Sequence, residues 1–244
     1  MVGRPRATPR EYAKRLAAVD LEKVAQALLA GVEKATSARW DAAVARAAAL
    51  PGDVRPEKMR ALSDSFAREL AAVGAAAGMA AAAPAVGITA SIMAATAELG
   101  WFTARAGDLI LTIAALHGRP TPTVEERRAW VLAVLIFGST ARQGFASAAN
   151  QLGANLDDSK KSAISLTTLR AVNGALSRQL LRHYGARRGA IALGTALPLG
   201  VGALVGGGAN FVAVRKLVRQ ADGFFAHLPY SSIDVHSIEV AGDL

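Results

Sequence analysis

The sequence predicts an all-α fold, a single helical bundle with Gly/Ala-rich, close-packed central helices, on three observations. Hydrophobic residues make up 52% of the 244 but aromatics only 5%, so much of the apolar content is alanine, the best helix former and a residue that lets helices approach closely. Apolar residues recur at three- and four-residue spacing instead of alternating. No segment reads as a strand, and no linker is long enough to divide the chain. We divide it into an amphipathic helical region over 1–55, the main helical domain over 56–228 and a polar, loosely ordered tail over 229–244.

The first 70 residues read as two amphipathic helices. Leu16, Val19, Val24, Leu28 and Val32 form a helical stripe in the first. "ALPGDVRP", Ala49 to Pro56, is a loop, and a second helix starts near Pro56-Glu57 and carries Met59, Leu62, Phe66 and Leu70 into the alanine run. Leu70 to Ala97 holds 28 residues without a charge, 14 of them Ala, interrupted by Pro84. It is long enough to span a bilayer. However, Ala contributes little to insertion, and Gly74-x-x-x-Gly78 serves a soluble helix crossing as well as a membrane one.

Ile88 to Leu116 is predicted as one long helix. On a helical wheel Glu98, Arg105 and Asp108 fall within about 80° of one another, with Trp101 on the same arc. This group is either an acid–base–acid cluster lining a pocket or a solvated stripe on an otherwise buried helix. Thr123, followed three residues later by Glu126, is a capping box that starts a fresh helix. The 13 uncharged residues from Ala129 to Ala141 are too few to cross a bilayer, so this is a core helix. "RQGFASAANQLGANLDDSKK" is helical and then breaks. Ser162 to Tyr184 sets Leu166, Leu169, Val172, Leu176 and Leu180 on one side, with Arg170, Arg178 and Arg182 elsewhere.

Gly189 to Val214 is 26 uncharged residues between Arg187-Arg188 and Arg215-Lys216. As one span it would set basic pairs on both sides of a membrane, against the positive-inside bias. Pro198 and the Gly206–Gly208 triplet break it instead into a small-residue helical hairpin with basic ends, whose arms are too short to cross easily. Asn210 then sits inside as a hydrogen-bonding tie or pocket residue.

The net charge of +9 is concentrated: Ser159 to Ala221 holds ten Lys/Arg and no acid. Such a surface favours an anionic partner. With few aromatics for base stacking and no DNA-binding motif, we expect lipid and not nucleic acid. The absence of cysteine excludes disulfides, thiolate metal sites and a Cys nucleophile. The glycine clusters match neither a dinucleotide nor a P-loop fingerprint, the four histidines are too dispersed for a metal set, and no serine sits in a nucleophile elbow. No cofactor or metal is expected, and nothing argues for an enzyme. The charged N-terminus lacks a secretory signal, so we expect an intracellular protein.

The blocks "TIAALHG" to "VEERRAWVLAVLIFGS" and "LPLGVGALVGGGANFVAVRKLVRQADGFF", with the alanine run around Pro84, resemble the EcsC protein family over roughly Leu70 to Phe225. His117-Gly118 departs from the aromatic-Gly pair expected there. The family takes its name from a neighbour of an ABC transporter gene and supplies no catalytic residues to carry over. The resemblance implies a bacterial, helical, membrane-associated protein. The leading expectation is a non-enzymatic protein at the cytoplasmic face of the bacterial membrane, peripheral or partly embedded. It meets anionic lipid or acyl chains through Arg187, Arg188, Arg215, Lys216 and Arg219. The alternatives are a soluble partner of an ABC transporter or other membrane complex, and an enzyme acting on an apolar substrate at Glu98, Trp101, Arg105, Asp108 and Asn210.

Overall fold

The helix expected over Ile88–Leu116 is the axis on which five of the other helices pack. The computed structural model describes residues 21–37, 39–81, 88–153, 164–185 and 208–228. They form α1 (Leu21–Thr36), α2 (Trp40–Ala49), α3 (Arg55–Ala81), α4 (Ile88–Leu116), α5 (Val124–Phe137), a 3₁₀ turn over Gly138–Thr140, α6 (Ala141–Gln151), α7 (Leu166–Gly185) and α8 (Gly208–His227). The fold is all-α, with no strand among the described residues.

α4 touches α1, α2, α3, α5 and α8, and its largest interface is with α1. Its second half is buried all round: Leu109, Ile110, Leu111, Ile113 and Ala114 have no exposed surface. A helix that is apolar on every side belongs in a core, and each of its large side chains contributes roughly 1.5–3 kcal/mol by leaving water. The α1/α4 crossing depends on small residues. A Cβ on Gly31 would lie 2.6 Å from the Gly100 carbonyl oxygen and 2.6 Å from Thr103 Cβ, and one on Gly107 would lie 2.3 Å from Ala35 Cβ. Here helix backbones touch, which only glycine permits.

α4 ends where the chain needs a left-handed residue. Gly118 takes φ +67°, its N–H donates to the Ala115 carbonyl and that of Arg119 to the Ala114 carbonyl, the Schellman pattern. α5 starts at the predicted box: Thr123 Oγ1 accepts from the Glu126 N–H at 3.2 Å, and Glu126 Oε2 accepts from the Thr123 N–H at 2.8 Å. Its residues Ala129 to Leu135 are buried between α4, α6, α7, α1 and α8. α7 presents Leu169, Val172, Leu176 and Leu180 to the core, while Arg170, Arg178 and Arg182 face outward, as the sequence predicts. Edge-to-face aromatic contacts tie distant helices: Trp40 to Trp130 at 6.5 Å and Trp130 to Phe225 at 5.3 Å.

One difference from the sequence reading lies near the N-terminus. The single helix expected before the "ALPGDVRP" loop is two, α1 and α2, broken at Ser37–Arg39. Arg127 of α5 makes the break. Its guanidinium donates to the carbonyls of Thr36 (2.7 Å), Ser37 (2.8 Å) and Pro122 (3.1 Å), closing the C-terminus of α1 from 90 residues away.

Leu99–Leu116 and Val124–Asn150 are long and apolar enough to cross a membrane by length and composition. The first is 72% buried within the bundle, and the second is interrupted by the 3₁₀ turn at Gly138, whose φ is +57°. The hairpin expected over Arg187–Lys216 lies outside the described residues up to Gly208, where α8 begins. The alanine-rich turn at Pro84 and the tail over 229–244 also lie outside them.

Candidate functional site

α8 carries the basic surface. At 100° per residue, Val214, Leu217, Val218, Ala221, Phe224 and Phe225 face the core and are buried. Val212, Lys216, Arg219, Gly223 and Ala226 form the opposite ridge, and all are exposed. Val212 is 67% exposed, more than any other large apolar side chain among the described residues. Arg215 flanks the ridge and lies 3.7 Å from Asp64 of α3, both largely in solvent, where such a pair contributes little. Of the five basic residues singled out in the sequence, Arg215, Lys216 and Arg219 therefore share one outward helix face. Arg187 and Arg188 lie outside the described residues.

The C-terminal end of α8 is held by two groups from the loop after α4. Arg119 donates to the backbone carbonyls of Phe225 and Leu228, the second at 2.6 Å, placing a cation where the helix dipole favours one. His117 Nε2 lies 2.8 Å from Asp222 Oδ1 and Nδ1 lies 3.4 Å from the Arg55 guanidinium. Because a guanidinium only donates, the neutral ring accepts at Nδ1 and donates from Nε2 to Asp222. Burial pushes the His117 pKa below its ordinary value; the Asp222 hydrogen bond opposes this shift and Arg55 adds to it.

Of the polar group on α4, Arg105 and Asp108 are not a solvated stripe but part of a charged cluster shared with neighbouring elements. Asp108 is only 5% exposed. Its Oδ2 accepts from Arg105 at 2.5 Å and from Arg39, between α1 and α2, at 3.0 Å. The other arm of Arg105 reaches Glu69 Oε2 of α3 at 2.5 Å. Burial works against the Arg105 charge, but Glu69 and Asp108 outweigh it and raise the pKa above the ordinary guanidinium value. Phe66 lies beneath: the guanidinium carbons of Arg105 and Arg46 sit 4.8 Å and 5.3 Å from its ring centre. Trp101 is half-buried and meets Phe102 edge-on at 4.8 Å. Glu98 lies on α4 and Asn210 on α8, but their side chains are outside the described residues.

The structure thus joins Arg105 to Asp108 and adds Glu69, Arg39, Arg46 and Phe66, which the sequence did not single out for this role. A cleft of about 330 Å³ lies elsewhere, between α1, α5 and α7, lined by Leu29, Ala30, Val32, Glu33, Arg128 and Ser177. Glu33 and Arg128 pair across it. Among the described residues no His, Asp or Glu cluster could hold a metal ion. No protein-family model, curated protein or solved structure matches this chain.

Proposed function

We propose that this chain is an EcsC-like, non-enzymatic helical protein that docks on anionic lipid at the cytoplasmic face of a bacterial membrane, with the outward ridge of α8 as its contact. The observation that carries this reading is the ridge itself: Arg215, Lys216 and Arg219 are exposed around Val212. An apolar residue among cations is the pattern of interfacial binding, in which apolar burial and attraction to headgroups add. The acid-free stretch Ser159 to Ala221, including Arg187 and Arg188, extends the same charge along the chain.

Sedimentation with vesicles tests it. Binding is expected to anionic but not neutral vesicles and to weaken as salt rises. Each basic residue near an anionic surface contributes about 1 kcal/mol, so R215Q/K216Q/R219Q is expected to weaken binding roughly a hundredfold. Indifference of the purified protein to anionic vesicles at low salt would remove the proposal. A second reading rests on the burial of 72% of Leu99–Leu116 inside the bundle: a soluble protein that attaches to a transporter or other membrane complex. Retention in the supernatant after fractionation, with monomeric behaviour in the absence of detergent, favours that reading.

A further inference from the structure

We propose that the corner formed by Arg39, Arg46 and Arg105 binds an oxyanion of the phosphate class. Five charged side chains meet there from α2, α3, α4 and the α1–α2 turn: three arginines against Glu69 and Asp108. The described group therefore carries one excess positive charge. Both carboxylates are engaged. Asp108 Oδ2 takes Arg39 and Arg105 together, and Glu69 takes the other arm of Arg105.

Arg46 is the cation left over. Its guanidinium rests 5.3 Å from the Phe66 ring centre, and among the described residues no carboxylate lies within ion-pairing distance of it. Burial, then the like charge of Arg105, lowers its pKa, and the charges of Asp108 and Glu69 offset this only in part. A second, independent observation concerns Arg105. Its Nε is buried with no hydrogen-bond partner and its two terminal nitrogens are held by Asp108 and Glu69, so it stands as a fixed positive charge behind Arg39 and Arg46, which are the groups that reach the anion.

Arg39 and Arg46 are each only partly buried, so an anion has access from solvent. A planar carboxylate suits one guanidinium fork. A phosphate presents three oxygens in different directions and can take guanidiniums arriving from separate elements. The Phe66 ring below excludes water from one side, which strengthens each contact. The site does not depend on the lipid contact of α8, and the two fail separately.

The test is a titration of the full chain with inorganic phosphate at constant ionic strength, followed by calorimetry and by the arginine Nε–Hε resonances. A saturable response is expected, with Arg46 and Arg105 shifting and the surface arginines Arg170 and Arg178 still. Arg46→Gln is expected to weaken binding about tenfold or more, while its melting temperature in chloride equals or exceeds that of the parent. R215Q/K216Q/R219Q is expected to leave the titration unchanged. Two further arms separate the sources of the phosphate group. If Arg46→Gln weakens binding to phosphatidic-acid vesicles, the ligand is a headgroup; if it leaves vesicle binding intact while losing inorganic phosphate, the ligand is soluble. Absence of a saturable shift at Arg46, or loss of folded structure in Arg46→Gln that Arg46→Lys restores without restoring phosphate binding, overturns the proposal.

Discussion

Arg127 and Arg119 are buried cations that donate to backbone carbonyls, and each closes a helix: Arg127 the C-terminus of α1, Arg119 that of α8. The last carbonyls of a helix have no intrahelical partner, and a guanidinium can satisfy several at once. Neither role was legible in the sequence, because the partners lie 90 or more positions away. The capping box at Thr123 was legible because both its halves are local. His117 supplies a testable consequence. In the folded chain its pKa is depressed, so the unfolded chain takes up the proton first as pH falls. The stabilising contribution is therefore complete above the ordinary histidine value of 6.5 and is lost as pH drops below it toward the folded pKa. Melting temperatures of the parent are expected to fall more steeply than those of His117→Gln between pH 7.5 and 5.5; parallel profiles would show that burial and the neighbouring Arg55 charge do not hold the ring neutral.

Among the elements, α4 and α7 lie where periodicity places them, and α5 begins at its predicted cap. Each is long and apolar enough that neighbours add packing without changing the boundaries. The α1/α2 break was hidden because an apolar stripe continues through it; the interruption comes from tertiary contacts with α5. The trio on α4 was half legible. Helical spacing placed Arg105 beside Asp108, but nothing local announces that Glu69 crosses from α3 or that Arg39 comes from a turn. The α1/α4 crossing carries the sharpest prediction at this scale. Gly31→Ala pushes a methyl against backbone at 2.6 Å and is expected to destabilise by about 1–3 kcal/mol. Gly223→Ala meets nothing within 4 Å and is expected to stabilise by up to about 1 kcal/mol through helix propensity. Urea denaturation of the two variants checks both signs together.

For the molecule as a whole, α4 is the shared partner of α1, α2, α3, α5 and α8. Opening it means separating most of the bundle. Amides of Leu109 to Ala114 are thus expected to exchange only through global unfolding, with protection equal to the full stability measured by denaturant; faster exchange there would show that the helices part independently. The close α1/α4 contact also limits how the chain can vary. Glycine has the smallest side chain, so any single replacement at Gly31 or Gly107 adds volume, and none can test the interface in the other direction. Mutational drift at these sites is one-sided: at Gly107 tolerance can come from Ala35, which still has an atom to lose, whereas at Gly31 the Gly100 backbone oxygen leaves no facing side chain that could give way.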